Sequence, residues 1–385
     1  MKEVKLTDYA FKGIEHGEIA DLRTLDASDK HRILHAGVDV DSDSASAVFM
    51  HMDQSTVHCE SRDPGLELLD IKAAMKRYDG LPEYAWKLVP RDKDEFTKNV
   101  AENVHGGYFI RTKPGAKIAK PVQSCLFLKA EKAGQNVHNI VVVEEGSELH
   151  ILTGCSTAHS TTSAAHLGIT EYYVKKGGKL TFTMVHNWGQ NATVRPRSVG
   201  VVEEGGVFQS NYVLLNTVGT LQMYPAIYLN GRGAVARFNS IIVTPEGSHV
   251  DCGNRVIMNA PDTRCEIISR TITTGGVNIA RGHIAGHAVP CRGHLECKGL
   301  ILGGGQSLAV PELDATVEGV ELSHEAAVGK IAQEEIEYLM ARGMDESEAT
   351  STIVRGFLNV DIMGLEGPLA KAIQDQVEQI DANAM

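Results

Sequence analysis

Aromatic side chains make up only 5% of this 385-residue chain, and cations are outnumbered, 37 Lys and Arg against 49 Asp and Glu. The formal net charge of −12 argues against a nucleic-acid partner, because neutralising phosphates needs a basic surface. No uninterrupted apolar run reaches the ~18–20 residues that a membrane span requires, so no membrane association is expected. The opening "MKEVKLTDYAFKGIEHGEIADL" is mixed and polar. It has no basic segment followed by an apolar one, and the compartment expected is the cytoplasm. The seven cysteines, Cys59, Cys125, Cys155, Cys252, Cys265, Cys291 and Cys297, are widely spaced with no CxxC. That excludes a secreted disulfide framework and a zinc ribbon. Reduced thiols follow, most of them small buried hydrophobes. There is no GxxxxGK[ST] loop, no HExxH helix and no GxSxG elbow, and "GRGAVA" at 231–236 lacks the third glycine of a dinucleotide fingerprint. A P-loop ATPase, a hydrolase or a dehydrogenase therefore has no anchor here.

What is plentiful is glycine, 38 residues, which with scarce aromatics suits many short strands joined by tight turns. The length exceeds that of a usual single domain, and three textures follow one another. Residues 1–98 mix charged and apolar positions and read as an N-terminal helical and loop domain. Leu66, Leu69, Ala73 and Lys76-Arg77 suggest an amphipathic helix closed at Asp79-Gly80. Residues 99–318 alternate short β-favouring runs with charged, Gly-containing turns, as in "NIVVVEEGSELHIL", "EYYVKKGGKLTFTMV" and "SVGVVEEGGVFQSNYV". This quasi-repetition suggests a β-solenoid, each coil burying its face against its neighbours, with a long-hairpin sandwich as the competing fold. Residues 319–385 turn helical. Ile336, Leu339 and Met340 share one face of a helix ending at Gly343. Asp345 and Glu348 form a capping box for the next, carrying Ala349, Ile353 and Phe357. Pro368 opens a third, with Leu369, Ile373, Val377 and Ile380 aligned.

Chemistry concentrates in the last third. "RGHIAGHAVPCRGHLECKGL" holds His283, His287, Cys291, His294 and Cys297, and "LSHEAAVGKI" adds His324 and Glu325. Thiolate and imidazole suit iron, zinc or Cu(I), and an incomplete ligand set suits a transiently held cluster. Adjacent His and Glu diverge along a strand, but at a strand end or helix start both can reach one site. The alternative is a solvated His-Glu pair at a helix entry, with Cys297 simply packed.

Several segments in one order resemble the SufB/SufD family of iron–sulfur assembly proteins. They are "YDGLPEYAWKLVPRDKDEFT" (78–97), "GGYFIRTKPGAKIAKPVQ" (106–123), "IVVVEEGSELHILTGCSTAH" (140–159), "SRTITTGGVNIARGHI" (269–284), "HLECKGLIL" (294–302) and "HEAAVGKIAQEEIEYLMARGMDESEATSTIVRGF" (324–357). The resemblance implies a mainly β fold, a right-handed parallel β-helix with a C-terminal helical domain. It also implies a non-catalytic scaffold that builds a transient iron–sulfur cluster at a dimer interface, driven by a SufC-like ABC-type ATPase. Sulfur donors and recipient apoproteins are the implied further partners. Cys297 is implied as the cluster or persulfide ligand, His324 and Glu325 as further metal ligands, and Cys155 in "TGCS" as the sulfur acceptor. The match is mixed. Cys297 and Glu325 resemble SufB, "SHEAAVG" and "PELD" (311–314) resemble SufD, and Ser323 stands where SufB-like members carry an acid. A chain with both sets of features is expected to work as a homodimer.

A sulfur-accepting cysteine must be a thiolate at working pH, so nearby cations are expected at Cys155 or Cys297, with Arg281, Arg292 and Lys298 as sequence-local candidates. The ATPase-docking surface is expected from Arg342-Gly343 to Arg355, Gly356 and Phe357. Two other classes are weighed against the scaffold. One is a carbohydrate-active β-helix enzyme, which the scarcity of aromatics disfavours. The other is a structural adaptor that regulates the ATPase without binding a cluster.

Overall fold

The structure, a computed structural model, describes residues 3–41 and 44–358, so the helix expected from Pro368 lies outside the described residues. The chain is mainly β, a parallel β-solenoid of about 8 turns with a few helices toward its termini. Its strands are shared between a ten-stranded and an eleven-stranded sheet. Along the ten-stranded sheet, Val235–Thr244 pairs with Thr263–Thr273, which pairs with Cys291–Ile301, which pairs with Val320–Gly329, all parallel.

The turn glycines explain the coil. Gly146, Gly177, Gly205 and Gly233 follow one another at intervals of 31, 28 and 28 residues, each with φ between +63° and +71°. An L side chain rarely adopts that conformation, so "EEGS", "KKGG" and "EEGG" recur wherever a coil turns. Between turns, β-branched residues fill the space. Val141 and Val143 point into the solenoid core, while Ile140 and Val142 lie beneath the helix Ile71–Arg77 on the outside. Burial on both faces accounts for the unbroken run "IVVV", since a strand covered on one side alone would alternate.

Strands extend past both ends of the 99–318 stretch, from Ala47 to Gly329. Ala47–Met52 lies parallel on Val122–Leu128. The segment expected to be helical from Leu66 begins instead as the strand Leu66–Asp70, antiparallel to Tyr108–Thr112. Pairing with a neighbour overrides the weak local preference of five residues. The helix starts only at Ile71, where Asp70 caps Lys72 and Ala73.

At the other end the local signals hold. Gly343 is at φ +100° after the helix Gln333–Met340, and Asp345 and Glu348 form the capping box of Glu346–Phe357. The buried face of that second helix differs from the expected one. It is Ala349, Val354 and Leu358, with Val354 and Leu358 on Val213, Ile241, Val243 and Ile272 of the ten-stranded sheet's outer face. Ile353 and Phe357 sit at the margin of that face, and Met340, at the end of the preceding helix, is 41% exposed. No helix of the described residues is long and apolar enough to cross a membrane.

Candidate functional site

Residues of the strand Cys291–Ile301 alternate strictly. Cys291, Gly293, Leu295 and Cys297 face the core, whereas Arg292, His294, Glu296 and Lys298 face outward. The next strand, Val320–Gly329, pairs Leu295 with His324, Glu296 with Glu325 and Cys297 with Ala326. Val320 and Leu322 pack against the solenoid core, so His324, at the same parity, faces inward and Glu325 faces outward. The expectation that His324 and Glu325 sit at a strand end or helix start fails here. They lie mid-strand and diverge. Cys297 and His324 share the inner face, one diagonal step apart, and Glu325 belongs to the other face.

Cys297 is sealed from solvent, and His324 is half-buried. Cys297 is 1% exposed, and burial, then the charge of Glu296, pushes its thiol up to about 11. The Nε2 of His324 is buried with no hydrogen-bond partner among the described residues. A buried ring nitrogen without a partner costs free energy that a ligand can return. These two groups, soft thiol and bare imidazole, fit an iron–sulfur cargo by donor chemistry. Both are at the end of the solenoid, since Val320–Gly329 is the last strand of its sheet and pairs on one side only.

The cations expected to activate the cysteines do not reach them. Arg281 binds Asp251 at 3.1 Å, Arg292 binds Glu321 at 2.9 Å, and Lys298 spans Glu296 at 2.9 Å and Glu325 at 3.0 Å. All three point outward, because each occupies an outward parity. Cys155 is likewise sealed in the core, and burial, followed by its neighbour Cys125, raises its thiol well above the ordinary value. In the next coil it registers with His186, whose Nδ1 meets the Tyr212 hydroxyl at 3.0 Å. Of the other candidates, His283 bonds Asp314 at 2.8 Å and His287 bonds Asn259 at 2.9 Å. Cys291 is buried.

The outer face gathers a second group. Ligating atoms of His294, Glu296 and Glu325 all lie within 4.8 Å of one another. His294 Nδ1 contacts Ser323 Oγ at 2.8 Å, and Glu296 also pairs with Arg270. The ammonium of Lys298 holds the Glu325 carboxyl below its usual range. Glu296 escaped sequence reading, although a period of two through His294, Glu296 and Lys298 signals a shared face opposite Cys297.

Four of the five residues expected at a docking surface, Arg342, Gly343, Arg355 and Gly356, are exposed. Phe357 is not free: it packs on the sheet cluster, with the Arg270 guanidinium 5.8 Å from its ring. Tyr338 nearby is 58% exposed.

The model of the SUF-system FeS cluster assembly SufBD core domain matches residues 126–357, the stretch that holds every residue above from Cys155 to Phe357. The chain belongs to the SufB/SufD family. It is 49% identical over 358 residues to an iron–sulfur cluster assembly SufBD family protein of Archaeoglobus fulgidus, covering 93% of this chain and 96% of that protein. A SufBD family protein of Methanothermobacter thermautotrophicus is 41% identical over 362 residues, covering 92% and 88%. The iron–sulfur cluster assembly protein SufB of Bacillus subtilis is 32% identical over 300 residues, 76% of this chain and 64% of that protein. Membership assigns this SufB/SufD protein a role in iron–sulfur cluster assembly within the SUF system.

Proposed function

We propose that this protein is a scaffold on which a transient iron–sulfur cluster is built at Cys297 and His324, at an interface between two copies of the chain. The observation that carries the reading is the pairing of a buried thiol with a partnerless imidazole nitrogen on the inner face of the solenoid's last two coils. The terminal strands Gln306–Ala315 and Val320–Gly329 have unpaired edges and carry Leu308, Leu313 and Val328, with Val317 in the turn between them, each at least 38% exposed. An open edge with apolar side chains invites a second strand, which supports a homodimer through the β-helix. Closing the edge would also place two Cys297–His324 pairs near one seam. Sulfane sulfur enters when the Cys155 thiol takes the outer sulfur of a donor persulfide and releases the donor thiol. It passes along the solenoid by the same exchange, and an external two-electron reductant frees it as sulfide at the cluster. Ferrous iron is taken first by Glu325 with His294 and Glu296, which displaces Lys298. Metal binding deprotonates the Cys297 thiol, a step its raised pKa makes unfavourable without the metal.

A SufC-like ABC-type ATPase docks on Arg342, Gly343, Arg355 and Gly356, and its closure shifts the helices against the sheet they cover. That rigid-body movement reshapes the terminal coil and releases the cluster to recipient apoproteins. The protein itself is non-catalytic in this reading.

The burial of both key thiols favours one other reading, an adaptor for the ATPase that holds no cluster. Anaerobic reconstitution with ferrous iron and sulfide separates the two. A scaffold gives a brown chromophore that Cys297→Ser abolishes and His324→Ala weakens. A colourless wild-type protein that still binds the ATPase makes it the adaptor.

A further inference from the structure

A groove of about 690 Å3 crosses the outer face of the ten-stranded sheet, on the same side as Glu325 but further toward the strand starts. Four successive strands floor it, and Arg237, Arg264, Arg292, Glu266, Glu321 and His294 are the charged or ionisable side chains on its outward face, with the Cys265 thiol beneath. Three guanidinium groups thus face two carboxylates, in a chain whose net charge is −12. Register makes the crowding unavoidable. Arg264 pairs directly with Arg292, and Arg237 sits one strand further along, two residues past the partner of Arg264. Neighbouring strands are about 4.8 Å apart, and like charges at that separation repel.

Neutralisation within the chain is incomplete. Arg292 turns to Glu321, which leaves Arg264 without a counter-charge. Every other described arginine has an ion pair, a hydrogen bond or an aromatic ring. Arg237 and Arg264 are the exceptions among the described residues. Glu266 is in register with Arg237 yet forms no ion pair with it. Two unpaired planar forks at diagonal positions of adjacent strands, with Val235 beside them, match two oxyanion groups up to about 7–8 Å apart. The net excess is a single charge, which suits a compact ligand and not an extended polyanion.

We propose that this groove binds a small molecule with two or more oxyanion groups, held between Arg237 and Arg264 with Arg292 completing the cradle. Carboxylate and phosphate share this recognition chemistry. Titration calorimetry on the full chain, with citrate and separately with pyrophosphate, distinguishes them. One of the two is expected to bind saturably, more weakly as salt rises, and at least about tenfold more weakly to the Arg237→Gln/Arg264→Gln double variant. Arg77→Gln, which removes a distant ion-paired arginine, is expected to leave binding unchanged. The double variant should melt no lower than wild type, since neither arginine makes an ion pair or hydrogen bond to lose. The proposal is overturned if wild type binds neither anion, if the double variant binds as well as wild type, or if its melting temperature drops, which would make the arginines structural.

Discussion

Two pairs of strands in this solenoid have the same length and almost opposite surroundings. Gly134–Val143 and Ala165–Val174 are buried at every position, whereas Gln306–Ala315 and Val320–Gly329 have no fully buried residue. Each pair contains a histidine. In the covered coil His138 meets Glu171 at 2.8 Å and lies against the Trp86 ring, while Glu171 also accepts the backbone N–H groups of Trp86, Leu88 and Val89. In the open coil His324 Nε2 has no partner. The N-terminal helices and loops complete the first coil, and nothing among the described residues completes the last. Each histidine keeps one buried ring nitrogen without a partner, Nδ1 in His138 and Nε2 in His324. The difference is that Glu171 fixes the other nitrogen of His138 and so ties it into the fold, while His324 at the open end is available to cargo. The same side chain takes either role according to what covers it.

The comparison is broken or sharpened most strongly at Glu171. Replacing it by Ala orphans His138 and three backbone donors, so a loss of about 3–5 kcal/mol is expected in urea unfolding. A loss below about 1 kcal/mol would mean that the covered coil is not stapled by this pair. At the open end the effect moves from stability to association. Leu308→Asp with Val328→Asp should weaken self-association in sedimentation by tenfold or more, about 1.4 kcal/mol or above, while the monomer unfolds as before. An unchanged sedimentation profile would remove the terminal coil from the interface.

His324→Leu is smaller and more telling. Removing a buried nitrogen that lacks a partner should leave stability unchanged or raise it by up to about 1 kcal/mol, while iron retained after reconstitution falls. A destabilised His324→Leu protein would put His324 in the same structural class as His138. The smallest effect is that of pH. Burial holds the Cys297 thiol at about 11 and that of Cys125 at about 12, so the native state keeps protons that the unfolded chain releases near pH 9. Their contribution is complete below that pH and is lost as pH rises toward 11 and 12. At pH 9.5 the Cys297 share is under about 1 kcal/mol, and Cys297→Ser should flatten the stability profile by that amount. An identical slope in the variant would show that the thiol is not buried in solution.

Much of the architecture was legible. "EEGS", "KKGG" and "EEGG" announced corners because only glycine sits easily at their φ, and the runs between them could only be strands. Gly343 and the Asp345–Glu348 box marked their helix ends because caps are local chemistry. Where signals were local but pairing was not, the reading slipped. Leu66–Asp70 looked helical by spacing and became a strand because Tyr108–Thr112 lay alongside. The expected cationic setting for Cys297 failed for a related reason. Arg292 and Lys298 are near it in sequence, yet an odd separation in a strand sends side chains to opposite faces.

By itself, then, the sequence determined the coil, its turns, its terminal helices and the family, all of which rest on residue type and order. The tertiary structure alone decided which groups meet. Parity divided Cys297 and His324 from Glu325, and register brought Glu296 to Glu325 and Arg264 to Arg292. Burial turned the thiols neutral, and the end of the sheet left His324 bare. Those outcomes depend on what lies across a strand pair or over a face, a distance that no spacing along the chain encodes.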